Sequence, residues 1–454
     1  MPDDNYMQHV DSIKDRLNAV SPSFCAMKWL HQTLYLHTGD NHSCYHPRPH
    51  HIGLDEIAEN PSALHNTKWK KEQRKQMLEG TRPQECYYCW NIENLEGKHY
   101  SDRMFHSSSD FAAPLIETLG KMPWDANINP KYLEVSFGNG CNYRCGYCSP
   151  QASTLWMDEI KKHGNYDLTY NQYGIDFLEN GTYYGPKDEN PYIDAFWKWW
   201  PDLRKDLHTL RITGGEPLMN PGVMQFLDIL ENEPSPQLHL SINSNLGVTF
   251  NKVDRMYDRV QSLLDQGKIR KFTLYTSLEG WGPQAEYMRT NLKCDHWERN
   301  FKEALNRGCE VNIMCTYNIL CVATFHKFLE KVVEWRSEYG NLVRFDTPYL
   351  KEPPHWMITI LTQDFHEKQD EILKFIEDRR DVFHSFEYEK MKRVTNYMHT
   401  HPITEEQIRA GRRDFYSFFT ENDKRIVGLG LLELFPEYRD FYYLCKEVYD
   451  NYDK

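Results

Sequence analysis

The chain has 454 residues, 53 Lys plus Arg against 66 Asp plus Glu for a formal charge of −13, and 40% apolar residues, enough for two or three domains at the usual ~100–200 residues each. A disordered or fibrous protein is excluded, and 12 cysteines in this length exclude a disulfide scaffold. The negative balance argues against nucleic acid as a partner. The acidic, polar start (Met1-Pro-Asp-Asp-Asn-Tyr) and the lack of an apolar run of about 18 residues predict a cytoplasmic chain without a membrane span.

Residues 1–125 show short helices, many His and Pro, and no strand–helix rhythm, so something other than a large apolar core is expected to organise them. Thr33–Leu36 alternates like a strand, Thr38-Gly-Asp-Asn reads as a hairpin turn, and a short strand returns toward Cys44. A helix ending near Gly80, then Pro83, delivers the pair Cys86 and Cys89. With Cys25 and Cys44 these make four thiols, enough to fill either a structural zinc site or an iron–sulfur centre. His42, His46, His50 and His51 crowd Cys44 and could replace a thiolate, but read more simply as exposed loop residues. Lys68, Lys70, Lys71, Arg74 and Lys75 read as a solvated helix face, or as a seat for an acidic peptide or phosphate.

From Tyr132 the texture changes. Runs at Tyr132–Phe137, Thr209–Thr213, Gln237–Asn243, Phe272–Leu278, Glu310–Tyr317 and Leu342–Phe345 read as strands. Helices are predicted at Gly222–Glu231, Lys252–Asp265, Asp295–Arg307 and Thr324–Glu338, two of them closed by Gly267 and Gly308. Six strands alternating with helices imply a parallel sheet. An insert of roughly fifty-odd residues, long for such a connection, follows the first strand. It holds a Gly/Asn/Pro-rich loop from Glu179 to Pro186 and then Trp197, Trp199 and Trp200. After Tyr349 a charged helical sequence runs to the end.

Directly after the first of these strands stands Gly138-Asn-Gly-Cys-Asn-Tyr-Arg-Cys-Gly-Tyr-Cys, placing Cys141, Cys145 and Cys148 in C-x3-C-x2-C spacing. One loop can wrap these thiols around a small inorganic core. Three ligands leave an iron of a four-iron cluster open, whereas zinc would need a fourth group such as His163. The motif resembles that of radical S-adenosylmethionine (radical SAM) enzymes, whose loop holds a [4Fe-4S] cluster with its open iron chelating S-adenosylmethionine. The resemblance places Tyr147 near the adenine. A second motif agrees: Gly214, Gly215, Glu216 and Pro217 match the family's GGEP segment. Two glycines there let backbone carbonyls approach a ligand ammonium, and Glu216 can add a charged acceptor. Asn243 and Ser244, in Ser241-Ile-Asn-Ser-Asn, and Ser277 and Glu279, in Ser-Leu-Glu-Gly, resemble segments facing the ribose and the methionine carboxylate. Arg289 is a candidate fork for that carboxylate. All stand at the ends of strands, where parallel barrels place their chemistry.

The resemblance implies an α/β fold, a partial (β/α)6 TIM-like barrel over 126–349, with a small module over 1–125 and a helical C-terminal region over 350–454. Cys25, Cys44, Cys86 and Cys89, with Trp29 and the hairpin, resemble the twitch form of the SPASM module, which binds an auxiliary [4Fe-4S] cluster; here it precedes the barrel. The activity implied is reductive cleavage of S-adenosylmethionine to a 5′-deoxyadenosyl radical that abstracts hydrogen from a peptide or protein side chain. The electron would come from a donor of the flavodoxin or ferredoxin type. The alternatives are a small-molecule substrate such as a sugar, amino acid or nucleoside, and a zinc-stabilised binding protein without turnover. Cys315 and Cys321 are candidate hydrogen-atom donors. They and Cys294, Cys309 and Cys445 also read as small buried groups.

Overall fold

The computed structural model describes residues 4–94, 99–178, 183–400 and 403–452. Its strands in chain order are β1 (His31–Tyr35), β2 (Asp40–His42), β3 (His50–His51), β4 (Tyr132–Ser136), β5 (Arg144–Cys145), β6 (Thr209–Thr213), β7 (His239–Asn243), β8 (Lys271–Ser277), β9 (Arg289–Thr290), β10 (Glu310–Met314) and β11 (Val343–Asp346). The chain forms two units: Met1–Gly138 with Asn180–Ile242 and Arg259–Phe272, and Asn139–Glu179 with Asn243–Asp258 and Thr273–Lys454. Residues 179–182 of the Gly/Asn/Pro-rich loop lie outside the described residues.

In the first unit β1, β4, β6 and β7 run parallel, each beside the next. Leu133 stands opposite Leu210 and Val135 opposite Ile212. All four are fully buried, which is why period-two apolar runs here form strands. β2 folds back antiparallel on β1 with Thr33 opposite His42, the hairpin that the turn residues predict. Gly39 turns it at a φ of +71°, where a Cβ would also meet the Tyr192 ring. The parallel pairing of β1 with β4 was not legible. It ties the N-terminal hairpin to β4 within the first unit.

Two expectations for the N-terminal segment are corrected. An apolar cluster does organise it: Ile13, Leu17, Phe24, Trp29, Met77 and Trp90 are buried together, with Cys25, Cys44 and Cys86 packed against them. Aromatic bulk supplies the burial that short helices lack. The basic run is not a uniformly solvated face. Lys70 and Arg74 lie one turn apart on the helix Lys68–Leu78 and are both buried. Lys70 Nζ donates to His31 O at 3.0 Å and Gln32 Oε1 at 2.6 Å, and Arg74 Nε donates to Lys28 O at 3.2 Å.

In the second unit β8, β10 and β11 run parallel, and β5 pairs antiparallel with β9. Leu274, Thr276, Val311, Ile313, Val343 and Phe345 share a buried face by register. Helices cover it, with Phe328 5.6 Å from Phe345 between ring centroids and Trp297 Nε1 donating to Thr276 Oγ1. The other face carries Tyr275, Ser277, Asn312, Met314 and Asp346.

All six expected barrel strands are present. So are the expected helices, as Pro221–Asn232, Phe250–Asp265, Cys294–Asn306 and Cys321–Tyr339. Gly267 and Gly308, at φ +63° and +74°, follow two of them as predicted. After β11 come the helices His366–Glu377, Ser385–Thr400, Glu405–Arg425 and Arg439–Asp450. The fold is α/β, with a mostly parallel sheet and a helical C-terminal region. Among the described residues no helix is long and apolar enough to cross a membrane.

Candidate functional site

The loop bearing Cys141, Cys145 and Cys148 is held by its carbonyls. Trp156 Nε1 donates to Cys145 O at 2.9 Å, Tyr173 OH to Gly146 O at 2.7 Å, and Gln172 Nε2 to Tyr147 O at 2.8 Å and Cys148 O at 3.1 Å. Gly146 N donates to Met288 O at 2.9 Å, where β5 meets β9 and sets Cys145 opposite Arg289. Tying down successive polar groups fixes the direction of each thiol. Gly146 is required by space, since a Cβ there would stand 2.1 Å from Trp356 Cζ2.

Two of the three sulfurs face nitrogen donors, and Cys148 Sγ lies 3.8 Å from Ser149 O. Arg289 Nη1 lies 3.2 Å from Cys145 Sγ, Tyr143 N 3.4 Å from Cys141 Sγ, and Asn245 Nδ2 3.7 Å from the same sulfur. Asn245 also donates to Asn142 Oδ1 at 2.8 Å. Burial pushes the Cys148 thiol up to about 12, so a ligand that takes this sulfur as thiolate must displace a proton.

Tyr147 OH donates to Glu279 Oε1 at 2.7 Å. Arg289 does make the fork expected of it, but on the chain's own carboxylate: Nε donates to Glu279 Oε2 at 2.6 Å and Nη2 to Oε1. Glu279 also accepts from Thr316 N at 3.2 Å and is 1% exposed. Ser277 ends β8 on the half-buried face opposite Met314. Ser244 is buried, its N donating to Tyr275 O at 2.8 Å and its Oγ accepting from Leu246 N at 3.0 Å. Asn243 closes β7.

In the first unit Gly214 sits at φ +135°, and a Cβ on it would stand 2.6 Å from Gly138 O. Gly215 N donates to Gly138 O at 3.2 Å, and Gly214 must be a glycine where the β6 turn closes on the end of β4. Glu216 is buried, and its Oε1 accepts from Leu218 N at 3.0 Å, capping the short turn that Pro217 begins.

The same unit gathers Cys25, Cys44, Cys86 and Cys89, far apart in sequence, on the wall of one small pocket. Arg103 and His46 line it too. Arg103 forks onto Glu93 at 2.9 and 2.8 Å, and His46 pairs with Asp102. Burial raises all four thiols, Cys86 to about 11 and Cys89 to about 12. Lys28, itself buried, pairs with Glu85 beside Cys86. Among the described residues no group of three or more His, Cys, Asp or Glu is arranged to hold a single metal ion. The histidines depart from the exposed reading. His42 is buried and pushed down to about 4, burial pushes His50 down to about 3, and His51 alone is exposed.

Cys315 and Cys321 are fully buried. Cys315 continues the Val311–Ile313 alternation on the helix-covered face, with its Sγ 3.8 Å from Ile313 O, and Cys321 opens the helix Cys321–Tyr339. The sequence reading missed Asn245, although it lies in the quoted Ser241–Asn245 segment. It also missed Tyr173 and Trp356, which no motif marks.

Residues 135–330 match the family model of the Radical SAM superfamily, from within β4 to the helix after β10. GTP 3',8-cyclase of Streptomyces coelicolor (strain ATCC BAA-471 / A3(2) / M145) is 27% identical over 146 residues, 30% of this chain and 31% of that protein. The chain thus spans about a third of the length of that curated relative. Among solved structures, Streptococcus suis SuiB bound to S-adenosylmethionine aligns at 13% identity over 77% of this chain and 68% of its own, with a TM-score of 0.34. Native anSMEcpe with bound AdoMet and Kp18Cys peptide aligns at 14% identity over 54% and 60%, with a TM-score of 0.33.

Proposed function

We propose that this protein is a radical SAM enzyme in which Cys141, Cys145 and Cys148 hold a [4Fe-4S] cluster, with one iron left to S-adenosylmethionine. The observation that carries the reading is a loop of three thiols inside the segment that matches the Radical SAM superfamily model, its carbonyls pinned and the sulfurs of Cys141 and Cys145 facing N–H donors. When bound, such a cluster supplies the electron that splits S-adenosylmethionine and so yields a 5′-deoxyadenosyl radical able to take hydrogen from a substrate C–H bond. The chain's own residues orient and exclude. Tyr147 is assigned to the adenine, Asn243, Ser244 and Ser277 to the ribose and carboxylate, and Gly214–Pro217 to the methionine ammonium. Trp356 and its aromatic neighbours Phe418 and Phe419 keep water from the loop.

Cys25, Cys44, Cys86 and Cys89 are proposed to hold a second, auxiliary [4Fe-4S] cluster. These four thiols, from three separate stretches of the chain, line a single pocket, and four thiolates complete the protein ligand set of such a cluster. Residues 1–125 would serve this centre, 126–349 the S-adenosylmethionine chemistry, and 350–454 its shielding. A donor of the flavodoxin or ferredoxin type supplies the electron, and twelve free thiols suit the reducing cytoplasm.

The substrate is proposed to be a peptide or protein side chain, on the likeness of the four-thiol pattern to the twitch module. A small-molecule substrate is the second reading, favoured by the curated relative that is a GTP cyclase. Anaerobic reconstitution tests the chemistry. Iron and sulfide at both thiol sets and reductant-dependent 5′-deoxyadenosine, lost in Cys145→Ala, are expected. Colourless protein with stoichiometric zinc would establish the non-catalytic binder instead.

A further inference from the structure

We infer that Arg289 is a positioning residue for the Cys145 sulfur, a fixed cationic donor that raises the reduction potential of the centre held by the three thiols, and that Glu279 sets how much of that charge the sulfur feels. The inference rests on the reading of Cys141, Cys145 and Cys148 as cluster ligands.

The backbone brings the two residues together. β5 and β9 pair so that Cys145 and Arg289 are direct partners, which aims a side chain 144 positions away at the sulfur, with Nη1 at 3.2 Å. Nothing about the guanidinium is loose. Two of its other nitrogens are forked on Glu279, and its carbon lies 5.6 Å from the Tyr147 ring centroid. Glu279 is fixed in turn by Tyr147 OH and Thr316 N. The guanidinium edge not spent on Glu279 points at the sulfur.

Both partners are buried, Arg289 at 5% and Glu279 at 1% exposure. A buried ion pair of this kind contributes little net stability compared with apolar residues of the same size, so its value lies in what it orients. A charge-assisted N–H to a ligating sulfur stabilises the form of a cluster with the extra electron, and hydrogen bonds to sulfur are among the main controls on such potentials. Glu279 lies on the far side of the guanidinium and opposes that effect at longer range. Removing the cation and removing the anion therefore move the potential in opposite directions, a pattern that general loosening of the loop does not produce.

The test uses the full chain, reconstituted anaerobically and titrated potentiometrically with electron paramagnetic resonance detection. The couple of interest is the one that disappears in Cys145→Ala. Arg289→Gln is expected to shift its reduction equilibrium at least tenfold toward the oxidised form, about 59 mV lower for a one-electron couple. Glu279→Gln is expected to shift it tenfold the other way. Unchanged couples, or shifts of the same sign in both variants, overturn the inference. If Arg289→Gln takes up no iron at the triplet, Glu279→Gln decides alone: a raised potential supports the tuning role, and an unchanged or lowered one refutes it. Loss of triplet iron from both variants with the wild type loaded assigns the pair a structural role only. A wild-type chain that loads no iron at the triplet removes the reading beneath the inference, a result told apart by the iron count.

Discussion

Gly146→Ala isolates the packing of the C-terminal region against the thiol loop. The new Cβ would stand 2.1 Å from Trp356 Cζ2, so the indole or the loop must retreat by about 1.3 Å to reach an ordinary 3.4 Å contact. Neither has room. Trp356 is 1% exposed, with ring centroids of Phe419 and Phe418 at 5.0 and 5.9 Å. The loop is bonded on both sides of Gly146, to Met288 O and Tyr173 OH. Overpacking of this kind costs about 1–3 kcal/mol. Gly146 is not among the positive-φ glycines, so the cost is steric and should vanish when the obstacle does. In a double-mutant cycle with Trp356→Leu, read from urea unfolding of the apo chain by circular dichroism, Gly146→Ala should cost about 1–3 kcal/mol alone and less than about 0.5 kcal/mol in the Trp356→Leu background. Equal costs in both backgrounds would refute the argument that Trp356 is what demands a glycine between Cys145 and Tyr147.

Lys70→Met should destabilise the apo chain by about 1–3 kcal/mol, because His31 O and Gln32 Oε1 lose a buried donor; an unchanged urea midpoint would count against that network. Burial holds Lys70 well below its ordinary value. Between that value and about 10.5 the unfolded chain therefore binds a proton that the fold does not, so stability rises with pH, and Lys70→Met should flatten the rise. Burial likewise pushes His355 down to about 3, so wild-type stability falls as pH drops from about 6.5 toward 3. His355→Leu should remove one proton's share of that slope, about 1.4 kcal/mol per pH unit, measured as urea midpoints between about pH 4 and 6. Cys89→Ser should strip iron from the four-thiol cavity while the triplet keeps its own and still cleaves S-adenosylmethionine; loss of both iron sets together would show that the two centres do not load independently.

The sequence by itself determined the chemistry that is local. Cys141, Cys145 and Cys148 lie within eight residues, so their spacing already defines a three-thiol loop. Gly214 and Gly215 announce a turn, at the first of which no side chain fits, and the period of the apolar residues marks six strands and four helices, because burial on one face writes a repeat of 2 or 3.6 into the chain. The hairpin before Cys44 was readable from Thr38-Gly-Asp-Asn for the same reason.

What crosses long sequence separations was decided only by tertiary structure. Arg289 has the composition of a carboxylate clamp, and the sequence says so, but which carboxylate it clamps depends on the pairing of β5 with β9 and on where Glu279 leaves β8. Lys70 and Arg74 look like solvent-facing charges until helix Lys68–Leu78 is docked so that they satisfy buried carbonyls. Trp356 is an anonymous aromatic until its ring meets Gly146. A side chain's type is a property of the residue, but its partner is a property of the register, and register is fixed only when whole elements pack.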